Sequence, residues 1–240
     1  MAADGRRHIL AIGGIDAPGA KRQQLPALIG HALALSGAAP ARVCVLHTAA
    51  GDDPAAYLRT YAQLSQQGAR VSHLQLFPMP NVSDPEDLLL SQDVIFAGGG
   101  SVANMVAVWR VHGVAEIMRR AWESGIVLTG VSAGAICWFD GGTTDSFGPD
   151  LRPFTSGLGL LPGSYCPHYS SEPARRPAFQ ALVGTGTLPA GIACDDGAAV
   201  HFTGDVLTSV VADRPGSTGY RVEPDGRGAS TERALPVTVL

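Results

Sequence analysis

Charge is scarce in this chain. Lys, Arg, Asp and Glu make up 16% of its 240 residues and hydrophobic residues 45%, where an average soluble domain carries roughly 25% charged residues. Disorder needs the opposite balance and is excluded. Basic clusters are lacking too: no Lys/Arg run exceeds a pair (Arg6-Arg7, Lys21-Arg22, Arg119-Arg120, Arg175-Arg176), and the net charge is −4. The chain therefore carries no electrostatic footprint for nucleic acid. No apolar stretch reaches the roughly 18 residues of a membrane span, and MAADGRRHILAIGG holds too short an apolar segment before Asp16 and Pro18 for a signal peptide. The expectation is a cytoplasmic protein with no nucleic-acid and no membrane partner. Cys44, Cys137, Cys166 and Cys194 are scattered without a CxxC. That spacing suits neither a disulfide framework nor a zinc site, so they read as small buried residues, and no metal is implied.

Glycine, by contrast, is abundant. The chain has 30 glycines and 17 prolines, against a usual glycine share of about 7%. No low-complexity tract or linker contains them, so they belong at particular turns of one domain spanning 1–240, long enough to bury a sizeable core.

Short apolar runs bounded by turn residues recur at 8–13, 42–47, 70–76, 93–97 and 126–130. They read as buried strands. Helix-compatible segments lie between them: 22–36, then 54–67 after Asp53-Pro54, then 86–91 after Asp84-Pro85, the last two with a capping acid and a first-turn proline. Apolar positions from Val102 to Ser124 recur at helical spacing and break at Gly113, which predicts two helices or one bent helix. Alternation of this kind implies an α/β fold with a mainly parallel central sheet between helical layers. The stretch from Asp140 to His168 is dense in Gly, Pro, Ser and Thr and reads as a long loop. Strand candidates return at 191–202, 205–212, 218–222 and 235–239, and the apolar tail ALPVTVL suits a sheet edge or an interface, making a homodimer a candidate assembly.

GVSAG, Gly130 to Gly134, matches GxSxG and joins a strand candidate to a helix-compatible segment. A nucleophilic serine must stand on a sharp strand-to-helix turn, and small neighbours two residues away on each side give the strained backbone clearance. Ser132 is thus the candidate nucleophile, and the Ala133 N–H a candidate oxyanion donor. A serine needs a base, and the base an orienting acid. Among seven histidines, His168 in the loop GSYCPHYSSE and His201 in the strand GAAVHF remain candidates; the acids are Asp195 and Asp196 in CDDG, Glu172, and Asp145 in TTDS. An α/β-hydrolase order would need Ser132, Asp196 and His201, with acid and base cramped five residues apart. A second glycine cluster, FAGGGS, closes the strand candidate 93–97. Gly98, Gly100 and Ala103 satisfy a GxGxxA dinucleotide pattern, but in the fourth βα unit rather than the first. The alternative is that Gly99 and Gly100 offer backbone N–H groups beside the elbow.

Together, IFAGGGS at 95–101, GVSAGA at 130–135, TTDS at 143–146, PHY at 167–169, ARRPAF at 174–179 and CDDGAAVHF at 194–202 resemble the serine peptidases of family S51, typified by aspartyl dipeptidase (peptidase E) and including cyanophycinase. The resemblance implies a flavodoxin-like or class I glutamine amidotransferase-like fold, with serine where those relatives carry cysteine. It implies cofactor-free hydrolysis of small peptides through an acyl-enzyme. By the same resemblance Ser132 is the nucleophile, His168 the base, and Gly100 and Ala133 the oxyanion donors. The acid matches Asp196, ahead of Asp195 and Asp145. Arg175 or Arg176 falls near an arginine that holds the substrate's N-terminal aspartate in aspartyl dipeptidases, and Ser101 replaces an asparagine that lies beside substrate. Hydrolysis of another amide or ester, as in cyanophycinase, and a non-catalytic amidotransferase-like binding domain are the alternatives.

Overall fold

The computed structural model describes residues 6–15 and 27–240. All five early apolar runs are strands: β1 (His8–Ile12), β2 (Arg42–Leu46), β3 (Arg70–His73), β4 (Val94–Ala97) and β5 (Val127–Val131). They pair in parallel in the order β1-β5-β4-β2-β3. Two hydrophobic clusters lie on opposite faces: Ile9, Ala11, Cys44, Leu46, Ile95 and Ala97 on one, Leu10, Ile12, Val43, Val45, Val94 and Phe96 on the other. In β1, β4, β5 and all of β2 after Arg42, alternating side chains find a core on either face, which is why these strands read as apolar runs; β3, at the sheet edge, is only partly buried.

Helices cover both faces. α1 (Ala27–Leu35) and α2 (Pro54–Gln66) insert Leu28, Ile29, Ala32 and Leu64 into the second cluster, while α4 (Val102–Val111) and α5 (Val114–Glu123) bring Met105, Trp109, Met118 and Trp122 to the first. The expected start of the first helix lies outside the described residues. Asp53 caps α2, accepting from the Ala55 N–H at 3.1 Å, and Asp84 caps the short α3 (Pro85–Leu90) through the Asp87 N–H at 3.0 Å. Gly113, with φ 73°, separates α4 from α5 as two helices. Among the described residues no helix is long and apolar enough to cross a membrane.

The expected long loop is the main correction. Within it lie β6 (Phe139–Thr144), β7 (Arg152–Phe154) and β8 (Leu161–Cys166). They join a six-stranded sheet whose other members are β9 (Gly191–Cys194), β12 (Gly219–Pro224) and β13 (Ser230–Ala234), in the order β13-β12-β9-β8-β6-β7. The sequence hides these strands because their glycines serve contact rather than turning: a Cβ on Gly141 would stand 2.0 Å from the Phe154 carbonyl oxygen, and one on Gly142 2.1 Å from that of Tyr165. The single expected run 191–202 is also two elements. β9 belongs to the six-stranded sheet, whereas β10 (Ala198–Thr203) pairs antiparallel with β1 and continues the eight-stranded sheet through β11 (Val206–Ala212) to β14 (Val237–Val239) at its edge. The chain crosses between sheets at Asp195-Asp196-Gly197. A single apolar cluster, with Phe139, Leu161, Tyr165 and Ile192 beside Ile9 and Leu128, joins the two sheets.

Candidate active site

Parallel strands aligned in one direction bring their carboxyl ends to one edge, where open α/β sheets bind ligands. At that edge β5 turns into the one-turn helix α6 (Ala133–Ile136) through Ser132, whose φ of 55° and ψ of −115° lie outside the regions L-residues ordinarily occupy. Such a conformation costs of order 1–3 kcal/mol. It is held by the Ser132 N–H, which donates to the Ile12 carbonyl at 3.1 Å, and by the Ser132 carbonyl, which accepts from the Ala135 and Ile136 amides. Glycines give the clearance the elbow requires: a Cβ on Gly130 would meet the Gly134 carbonyl oxygen at 2.1 Å, and one on Gly134 the Ala97 oxygen at the same distance.

His168 follows β8 and also has a positive φ, 54°. Its Nε2 lies 2.9 Å from Ser132 Oγ and its Nδ1 2.7 Å from Asp196 Oδ1. Burial alone would push the Asp196 carboxyl up, but hydrogen bonds from His168 and Ser171, with the nearby charges of His168 and Arg214, outweigh it and hold the group below its ordinary value. An ionised carboxylate only accepts, so Nδ1 carries the proton and Nε2 is left as an acceptor for the serine hydroxyl. Behind Asp196, its carbonyl accepts from Ser217 Oγ at 2.7 Å, and the Gly197 N–H donates to the Gly14 carbonyl at 2.7 Å.

The sequence reading overlooked Gly14. It follows β1 and bridges to Asp196, and a Cβ placed there would lie 1.9 Å from Asp196 Oδ1 and 2.8 Å from His168 Nδ1. The signal was present in AIGG, a glycine pair at the end of a buried strand. Gly14→Ala is expected to lower turnover at least 100-fold by displacing carboxylate and imidazole, in the range that a misplacement of about 1 Å produces. Circular dichroism of the variant should keep the wild-type helix and strand signal; an active Gly14→Ala enzyme would show that the close packing is dispensable.

Gly98, Gly99 and Gly100 follow β4, and a Cβ on Gly99 would touch Ser132 Cβ at 3.4 Å. Gly100 has φ 136°, and its Cβ position is filled by the Ala49 carbonyl oxygen at 2.3 Å. The Gly98 and Ser101 amides donate to Leu46 and Ala49 carbonyls, whereas those of Gly99, Gly100 and Ala133 donate to no backbone acceptor among the described residues. Gly99 and Gly100 line the cleft beside Ser132, and Ala133 opens α6 immediately after it. A cleft of about 630 Å³ is lined by the glycine triplet, Ser132, His168, His47 and one face of α2: Ala56, Arg59, Thr60 and Gln63.

Other expected site residues are elsewhere. Asp195 is buried and binds Ser170 Oγ, the Thr218 N–H at 3.0 Å and Tyr220 OH, tying the loop after His168 to β12. His201 packs with His8 inside the sheet, 2.9 Å between ring nitrogens, so the arrangement Ser132, Asp196, His201 does not form. Neither Arg175 nor Arg176, on α7 (Arg175–Gly184), lines the cleft. Arg175 is 3% exposed; it donates to Glu172 at 2.6 Å and to the Thr143 carbonyl at 2.9 Å, with Asp145 3.9 Å away. Arg176 pairs with Glu232 and stacks over Tyr169 and Tyr220. Both guanidiniums are thus committed to carboxylates of this chain, Arg175 to Glu172 three residues before it and Arg176 to Glu232 far along the sequence. Ser101 Oγ caps α4 by accepting from the Asn104 N–H at 3.2 Å. No group of three or more His, Cys, Asp or Glu among the described residues could hold a metal ion.

Comparisons with known proteins identify the family. The model of Peptidase family S51 matches residues 9–210. An uncharacterised peptidase, YgaJ, of Bacillus subtilis is 45% identical over 181 residues, covering 75% of this chain and 77% of its own. A peptidase E of Shewanella denitrificans is 30% identical over 115 residues, covering 48% and 49%. In fold, the chain is similar to a peptidase from an acI-B1 actinobacterium (TM-score 0.66, 19% identity, 97% and 95% coverage). It is also similar to a putative peptidase E of Listeria monocytogenes (TM-score 0.58, 14% identity, 85% and 97% coverage). The chain belongs to peptidase family S51, a hydrolase with the α/β architecture of that family.

Proposed function

We propose that this protein is a serine peptidase acting on short peptides through an acyl-enzyme, with Ser132, His168 and Asp196 as its catalytic triad. The observation that carries the reading is the unbroken line from Ser132 Oγ through His168 to Asp196, at 2.9 and 2.7 Å. Ser132 Oγ attacks the scissile carbonyl carbon while His168 Nε2 takes its proton, and Asp196 stabilises the imidazolium. The carbonyl electron pair moves onto oxygen, which the N–H groups of Gly100 and Ala133, joined by Gly99, are free to receive. Collapse breaks the C–N bond as Nε2 hands its proton to the leaving amine; a water activated by the same nitrogen then releases the acid. No cofactor enters this sequence. The contact geometry favours catalysis over a decayed binding domain, and a cleft of this size suits a dipeptide better than a folded protein. Four buried free cysteines suit a reducing, cytoplasmic setting.

A fluorophosphonate probe tests the chemistry independently of substrate. Mass spectrometry should find one adduct, on Ser132, formed by native and not by denatured protein. Unlabelled Ser132, together with peptide hydrolysis that survives Ser132→Ala, would sink the proposal. An ester and isopeptide panel beside α-dipeptides separates peptidase from a more general amide or ester hydrolase.

A further inference from the structure

Arg59 sits on the cleft-facing side of α2, one turn beyond Ala56 and one turn before Gln63, so these residues share a face. It is the only Lys or Arg among the described residues lining the cleft that also contains Ser132 and His168. No internal carboxylate or other described group holds it: it has no ion pair or hydrogen bond, in contrast to Arg175 and Arg176. Asp53 brings a carboxylate to the same cleft, and the other neighbouring polar groups are engaged or neutral. Asp53 caps α2 through the Ala55 amide. Burial holds the His47 imidazole below its ordinary value against the pull of Asp52 and Asp53, with Arg59 adding to the effect. Thr60 donates to the Ala56 carbonyl at 3.1 Å and thus accepts from His47 Nε2 at 3.0 Å. Arg59 is thus the one fixed cation among the described residues of this wall, with the Asp53 carboxylate at the N-terminus of α2, and its planar fork matches a carboxylate.

From this wall we infer that Arg59 is a specificity-determining residue that receives a carboxylate of the peptide substrate, a role resting on the serine-peptidase reading above. A short peptide offers two such groups: an acidic side chain and the free C-terminus. The shared chemistry is a carboxylate at the α2 wall while the scissile carbonyl lies at Ser132.

The test compares wild type with Arg59→Ala and Arg59→Lys on matched substrates: Asp-Leu against Asn-Leu for the side chain, and Asn-Leu against its C-terminal amide for the terminus. Wild type should favour the charged member of one pair. Arg59→Ala should erase that preference, lowering kcat/KM roughly ten-fold for the charged substrate and little for the neutral one, mainly through KM. Arg59→Lys should restore part of it. The pair that loses its preference identifies the carboxylate bound. Binding of the same peptides to Ser132→Ala and Ser132→Ala/Arg59→Ala by calorimetry reads the contact without turnover, and should weaken by a similar factor for the charged peptide alone. Fluorophosphonate labelling, which involves no carboxylate, should proceed normally in Arg59→Ala. Normal labelling with an unchanged substrate panel, or an equal loss across every substrate, overturns the role of Arg59 and leaves the triad standing. Absent labelling overturns the triad.

Discussion

Ser132→Ala is expected to lower hydrolysis of a susceptible dipeptide by ~10⁴-fold or more, because no other hydroxyl occupies the line to His168 and the covalent step is lost outright. The residue lies on a strained turn whose φ alanine must also adopt, so the backbone is unchanged and only one hydroxyl disappears. Thermal unfolding should therefore move little, within the ±0.5 kcal/mol or so typical of changes away from core packing. Stopped assays on the purified variant measure the first effect and calorimetry the second. Retained turnover above one-hundredth of wild type, in protein free of contaminating peptidase, would exclude Ser132 as nucleophile.

An equally demanding result concerns the acid. Asp196→Asn replaces an ionised acceptor by an amide that can donate to Nδ1 instead, favouring the imidazole tautomer whose proton sits on Nε2 and faces the serine. A base presented in the wrong tautomer cannot take the Ser132 proton, and kcat is expected to fall ~10³- to 10⁴-fold. The two neighbouring candidates supply the contrast. Asp195→Asn disturbs the links to Ser170, Thr218 and Tyr220, so it should cost stability, about 1–3 kcal/mol for disrupted buried hydrogen bonding, with a smaller change in kcat. Asp145→Asn, at an exposed side chain 3.9 Å from Arg175, should leave kcat within a few-fold of wild type. Parallel kcat and urea-denaturation measurements on the three variants distinguish these outcomes; equal kcat losses at Asp195 and Asp196 would remove the special place of Asp196.

Legibility followed the range over which each residue's environment is set. β1, β2, β4 and β5 were readable because nearly every side chain in them is buried, so local composition and tertiary burial coincide. The elbow was readable because its requirements, two glycines and a serine, lie within five residues. His168 and Asp196 could be narrowed to candidates by residue type, and the family resemblance ordered them. The six-stranded sheet was hidden, since Gly141, Gly142, Pro153 and Pro162 carry the composition of a loop while packing as strands, and β13, STERA, has no apolar run. Gly14 is required by a carboxylate far along the chain. Arg176 looked like a free cation because the carboxylate of Glu232 approaches only in three dimensions, as does the Thr143 carbonyl that holds Arg175 together with the nearby Glu172. Arg59 escaped for the opposite reason: nothing marks an exposed arginine on a helix until the helix is seen to wall a cleft.

The crossing of the chain between its two sheets at Asp195-Asp196-Gly197 bears on when this protein acquires its chemistry during synthesis. Ser132 ends a strand of the eight-stranded sheet, His168 leaves a strand of the six-stranded one, and Asp196 occupies the passage between them. With the proposed roles, a nascent chain that has emerged only through β7 has the nucleophile without its base, and one that has passed β8 to His168 has the base without its acid. The complete triad of that proposal therefore requires both sheets and the close approach of Gly14 to Asp196. On the proposed triad, the order of residues along the chain makes Asp196 the last of the three to be synthesised.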